Sequence, residues 1–156
     1  MCHYCGCRHI PLIRDYIAEH ERVLDLGSRA LEEAGRGALT EAQATVAEMR
    51  TELQSHWQGE EEGVFALMRS DELYREHIDP LVEEHRELDA LLARLDMTVA
   101  EDRVRLRDEM HELRIHISKE EDGIFPVTLV EFSGPEWDAA IAAWERAHPG
   151  QKISLD

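Results

Sequence analysis

His56 and His116 are each followed four residues later by a glutamate, Glu60 and Glu120. Residues four apart lie on one face of a helix, so each pair presents an imidazole and a carboxylate in the same direction. His20 and His85 stand singly, in the same register as the apolar residues around them. The surrounding sequence turns all six inward. His20 continues the stripe Ile13, Ile17, Leu24, Leu31, and His85 the stripe Leu81, Leu88, Leu92, Leu95. His56 and Glu60 follow Met49 and Leu53, and His116 and Glu120 follow Met110 and Leu113. A buried polar group without a partner costs roughly 2–7 kcal/mol, and a bare carboxylate more. Two metal ions would neutralise the carboxylates and take the imidazole lone pairs. A set of imidazole and carboxylate donors without thiolate suits iron, manganese or zinc rather than copper(I) or an iron–sulfur cluster. If both carboxylates bridge, each metal receives two nitrogens and two oxygens, which leaves room for a small exogenous ligand.

The pattern arises from an internal repeat. Residues 52–65 and 112–125, offset by 60, share Glu, Leu, His, Glu, Glu, Gly and Phe at matching positions. Upstream of each block lies a weaker match, Ile17-Ala18-Glu19-His20 against Val82-Glu83-Glu84-His85. Each half is a helix with one histidine followed by a helix with His-x-x-x-Glu. Two such hairpins back to back predict an all-α, up-down four-helix bundle with pseudo-twofold symmetry.

The elements that must position these residues follow from steps of three and four between apolar positions, with no sustained strand-like alternation. A first helix is expected from about Pro11 to Glu33, ended by Ala34-Gly35-Arg36-Gly37. A second, opened by a Thr40/Gln43 capping box, is expected to run to about Met68. Asp79-Pro80 predicts a fresh start, so the main third helix is placed at Pro80–Leu95 after a shorter turn at Leu73–Ile78. Thr98 and Glu101 form a further capping box for the fourth helix, which Pro126 should kink or end. Ser133 and Glu136 predict a short fifth helix carrying Trp137, Ile141 and Trp144, packed on the bundle as a lid, its tryptophans a core staple without chemistry. The chain thus divides into a Cys-rich segment (1–9), the bundle (10–132), and a C-terminal helix and tail (133–156).

Bulk composition narrows the function classes. Net charge is −17, which opposes nucleic-acid binding, since that rests on Lys and Arg neutralising phosphates. No apolar run approaches the ~18 residues of a membrane span. The N-terminus lacks the apolar core of a secretion signal, so a cytoplasmic address is expected. Two tempting motifs fail. His111 and His116 are five apart and point about 140° from each other on a helix. The one Glu-x-x-His, Glu145–His148, lies outside the bundle.

These residues resemble the hemerythrin-like family, the HHE cation-binding domain, over roughly residues 10–130. The family pattern His, His-x-x-x-Glu, His, His-x-x-x-Glu falls on His20, His56/Glu60, His85 and His116/Glu120. The chain is most similar to a bacterial di-iron branch linked to nitric oxide, oxidative stress and iron–sulfur repair. That resemblance implies two non-haem iron ions, each held by two histidines and bridged by two glutamates. It implies binding of, or reaction with, oxygen, peroxide or nitric oxide, including consumption of peroxide or nitric oxide as an oxidoreductase. The alternative is an iron-binding or iron-donating module for storage or cluster repair. In the oxygen-carrying hemerythrins of marine invertebrates, the third helix carries two histidines four apart and an Asp follows the last histidine. Here Leu81 and Asp89 flank His85 at four residues, and Glu120 follows His116. The departure favours reactive handling of small ligands over reversible carriage.

Three features stay open on sequence alone. Tyr16, one turn before His20, is either a phenol that hydrogen-bonds a bound ligand or an ordinary core tyrosine. Glu52 and Glu112, one turn before His56 and His116, either orient those imidazoles or are solvated charges. Cys2, Cys5 and Cys7 are a second metal site, a thiol–disulfide couple, or an incidental tail.

Overall fold

The computed structural model describes residues 6–156 and contains helices and turns, with no strand among the described residues. Four long helices form the bundle: α1 (Ile13–Gly35), α2 (Leu39–Glu62), α4 (Glu72–Leu92) and α5 (Ala100–Lys119). Three shorter ones complete it: α3 (Val64–Met68), α6 (Phe125–Glu131) and α7 (Gly134–Ala147). In the bundle α1 packs on α2 and α5, and α4 packs on the same two, so the four close into a square; α7 lies across α2. No helix among the described residues is long and apolar enough to cross a membrane.

The core is split into two apolar layers. One gathers Val23, Leu26, Met49, Leu53, Leu92 and Leu113 at one end of the bundle. The other gathers Ile13, Tyr16, Phe65, Leu81, Phe125 and Trp144 at the opposite end. The six polar residues singled out above lie between them, each no more than 6% exposed. That placement keeps water from the polar layer and makes every unpartnered atom in it costly.

Several boundaries differ from the sequence expectation. Neither capping box in the bundle forms. Ala38 precedes α2 without a side-chain cap. The Gln43 amide instead donates to the Leu95 carbonyl at 3.1 Å and accepts the Met97 N–H at 2.9 Å. Thr98 gives its hydroxyl to Asp96 at 2.6 Å, leaving α5 uncapped behind Val99. The 93–99 connection carries backbone groups that need partners, and it recruits these side chains away from the helix ends. The third long helix begins at Glu72, where the Asp71 carboxylate accepts the Leu73 N–H at 2.9 Å, and it runs through Pro80. Asp79, the expected cap, pairs with Arg69 at 2.7 Å. Ile78 and Leu81 are both buried, and their packing outweighs the hydrogen bond that Pro80 cannot make. The Ser133/Glu136 capping box does open α7.

Both helices that carry His-x-x-x-Glu are interrupted soon after the glutamate. Gly63 ends α2 with φ −107°, ψ −105°. Residues Glu120–Ile124 form a widened π turn in which the Phe125 N–H reaches back to the Glu120 carbonyl, so the break comes before Pro126. In an unbroken α-helix, residues five apart point about 140° from each other. The interruptions swing Phe65 and Phe125 back over the polar layer, where Phe65 stacks on His85 and Phe125 on His20 at 5.8 and 6.0 Å.

Gly63 also admits α7. A Cβ there would lie 2.6 Å from the Gly59 carbonyl oxygen and 3.2 Å from the Ala143 Cβ, whereas at Gly123 it would meet nothing within 4 Å. Gly63→Ala should therefore cost roughly 1–3 kcal/mol in a urea melt. Gly123→Ala should be neutral or stabilising by up to about 1 kcal/mol. Equal effects would remove the packing argument. A second expectation concerns the clamp between α2 and α4, where Arg50 donates to both Asp89 oxygens at 2.8 and 3.0 Å and Gln54 adds a third bond at 2.8 Å. The Arg50 guanidinium holds the Asp89 carboxyl below its usual range. Its contribution is thus complete above the unfolded value near ~3.9 and lost as pH falls through the lower folded value. Both partners are about a third exposed, so Asp89→Asn should cost only about 0.5–1 kcal/mol at pH 7. That difference should close in melts taken at progressively lower pH.

Candidate metal centre

His20 and His56 meet edge to face with their Nε2 atoms 3.0 Å apart, and His85 and His116 do the same at 3.0 Å. Every Nδ1 is already engaged with a carboxylate. His20 meets Glu121 at 3.0 Å, His56 meets Glu19 at 2.7 Å, His85 meets Glu61 at 2.9 Å and His116 meets Glu84 at 2.7 Å. A ring that donates through Nδ1 carries its lone pair on Nε2. Two such lone pairs facing each other repel unless a cation or a shared proton lies between them. Two imidazole nitrogens at about 2.1 Å from one ion, at a right angle, stand about 3.0 Å apart, which is the separation seen in both pairs.

The two glutamates complete the arrangement. Glu120 Oε1 lies 2.8 Å from His116 Nε2 and 3.5 Å from His85 Nε2, while its Oε2 lies 3.2 Å from His20 Nε2. Glu60 Oε2 lies 3.3 Å from His56 and 3.7 Å from His85. Both carboxylates therefore reach toward both histidine pairs. His20, His56, Glu60 and Glu120 present donor atoms that could hold one ion, and His85, His116 and Glu120 could hold another. All four oxygens of Glu60 and Glu120 are buried without a hydrogen-bond partner among the described residues, as is the Tyr16 hydroxyl.

Electrostatics show the strain of this cluster without a cation. Burial, then the neighbouring Glu120 charge, pushes the Glu60 carboxyl well above its usual range. Burial acts the same way on Glu120, but the His116 and His20 imidazoles outweigh it and hold that carboxyl down. Burial lowers His20, yet the adjacent Glu120 and Glu121 carboxylates raise it to about 9. Burial with the adjacent His20 brings His56 down to about 4 despite Glu19. Glu60 and Glu120 are thus driven in opposite directions, as are His20 and His56. Two divalent cations would remove that conflict at every position.

Of the two alternatives for Glu52 and Glu112, the structure fits solvated surface charges. Glu52 pairs with Arg22 at 3.4 Å and Glu112 is exposed. The four carboxylates that orient the imidazoles are sequence neighbours of the glutamates and single histidines: Glu19 beside His20, Glu84 beside His85, Glu61 beside Glu60 and Glu121 beside Glu120. The repeat itself held that signal, because Glu-His and Glu-Glu recur in both halves. Trp144 is also more than a staple: its indole N–H donates to Glu19 at 2.8 Å. Trp137 packs on Phe132. Tyr16 is fully buried, stacked on Phe125 and edge-on to His56 at 5.5 Å. Cys2 and Cys5 lie outside the described residues. Cys7 opens a short turn, Cys7–His9, followed in the chain by Arg8, which donates to Glu121 at 2.7 Å.

Comparison with known proteins adds one finding. The family model for the hemerythrin HHE cation binding domain matches residues 12–128. No curated protein and no solved structure matches the chain. The buried His/Glu cluster together with this match identifies a metal-binding protein.

Replacing His56 or His116 by Ala should lower bound metal and thermal stability together, because ion binding and folding share their free energy. Elemental analysis and a thermal melt on the same sample check this. Full metal content in both variants would place the site elsewhere.

Proposed function

Because the chain belongs to the hemerythrin HHE cation-binding family, we propose that it is a non-haem di-iron protein that binds or reacts with oxygen, peroxide or nitric oxide. In this reading His20, His56, Glu60, His85, His116 and Glu120 hold the two ions. The observation that carries it is the pair of facing Nε2 atoms at 3.0 Å, twice over, with both carboxylates unpartnered between them. Manganese or zinc would satisfy the same donors; iron adds the ability to exchange electrons with a bound small molecule.

The chain's own residues support that role in three ways. The Nδ1–carboxylate bonds fix each ring's tautomer and orientation and make Nε2 a better donor. Phe125, Phe65 and Trp57 stack against His20 and His85 at 5.0–6.0 Å and keep water from the rings. Tyr16 supplies a proton donor. Burial first, then the Glu60, Glu19 and Glu120 charges, push its phenol well above the usual value, so it stays protonated at neutral pH. Its hydroxyl has no hydrogen-bond partner among the described residues, which supports its donating to a small ligand at the centre.

The test is metal content and absorption of protein prepared without air, then exposed separately to air, peroxide and nitric oxide. Two iron ions per chain and a new visible spectrum with at least one of the three are expected. Tyr16→Phe should keep both ions and weaken or shorten the life of that spectrum. A protein that carries zinc and responds to none of the three contradicts the proposal.

A further inference from the structure

The repeat makes the two hairpins alike, but the surroundings of the two histidine pairs differ. Glu19 and Glu121, which engage His56 and His20, are 4% and 12% exposed. Glu84 and Glu61, which engage His116 and His85, are 35% and 34% exposed. The cause is the chain outside the repeat. From the C-terminal side, Glu19 meets the Trp144 indole N–H at 2.8 Å and His148 Nε2 at 3.1 Å, and His148 stacks on Trp144 at 4.1 Å. Arg8 covers Glu121 from the N-terminal side. On the other half, Glu84 meets the flexible Lys119 ammonium at 2.6 Å.

A groove between α4 and α5 opens onto that second half. It encloses about 610 Å³, and His85, His116 and Trp57 form part of its wall. Glu84, Glu87, Glu109 and Glu112 line it against only Arg94 and Lys119. A concave surface with surplus carboxylates concentrates cations and repels anions. Its wall includes the His85 and His116 rings themselves, whose Nε2 atoms face each other at 3.0 Å with Glu120 Oε1 behind them, 2.8 Å from His116, so the acidic lining leads to donor atoms.

Resting on the two-ion reading above, we infer that the α4–α5 groove is the passage for aquated divalent cations, and that the two ions exchange unequally. The ion held by His85 and His116 fills and empties through the groove. The ion held by His20 and His56 is locked under α7. Release requires an imidazole to turn aside, and that requires its carboxylate to let go. Glu84 and Glu61 have water at hand to replace the lost bond. Glu19 is fixed by His56, Trp144 and His148 with almost no water contact.

The experiment uses the full chain loaded with ferrous iron in the absence of air. Ions per chain are counted, excess ferrous chelator is added, and release is followed in a stopped-flow instrument. Two phases of equal amplitude are expected, their rates differing by roughly tenfold or more. Trp144→Phe should accelerate the slow phase alone, and His148→Gln should act in the same direction. Replacing Glu87, Glu109 and Glu112 together by Gln should slow the faster phase of ferrous uptake by the metal-free protein and leave the slower phase unchanged, and the difference should shrink in high salt. Two ions leaving at a single rate overturn the inference while sparing the two-ion reading, as does either change acting on the other phase. A protein that binds one ion overturns both.

Discussion

The structure depends on a conflict among four imidazoles. Each has committed Nδ1 to a carboxylate, so the Nε2 lone pairs are left pointing at one another, 3.0 Å apart in each pair. Two glutamates with no hydrogen-bond partner among the described residues stand between the pairs. In water this arrangement would hydrate and relax. Between two apolar layers it cannot, and a cation is the agent that satisfies all the donor atoms at once. The stacked Phe65, Phe125 and Trp57 rings, the broken helix after Glu60 and the π turn after Glu120 all maintain the dry layer in which that demand holds.

Neither hairpin builds this layer alone. His56 is oriented by Glu19 and His116 by Glu84, each within its own hairpin. His20 takes its carboxylate from the opposite hairpin at Glu121, and His85 takes Glu61. The stacking phenyl rings cross over as well, Phe125 to His20 and Phe65 to His85. The pseudo-twofold axis therefore exchanges partners between the halves. Docking of the hairpins and formation of the centre become one cooperative event, to which metal adds its binding free energy.

Segments outside the repeat then break the symmetry. The α7 helix places Trp144 and His148 on Glu19, and the N-terminal turn places Arg8 on Glu121, both on the same histidine pair. The other pair faces an acid-lined groove.

The sequence by itself determined the layout. Helical periodicity, the 60-residue repeat and the placement of six polar residues on apolar stripes prescribed an all-α bundle with a polar layer, because spacing along a helix fixes which residues share a face. It also held the carboxylates that orient the histidines, as Glu-His and Glu-Glu neighbours, yet adjacency within one helix says nothing of which ring on another helix a carboxylate will meet. The tertiary structure decided that pairing. It also decided where helices begin. Gln43 and Thr98 satisfy the 93–99 connection instead of capping α2 and α5, and burial of Ile78 and Leu81 carries α4 through Pro80. It decided the role of Trp144 and the inequality of the two halves as well. Those outcomes turn on contacts between residues as far apart as Glu19 and Trp144, where partner choice is set by packing in three dimensions and leaves no periodic trace along the chain.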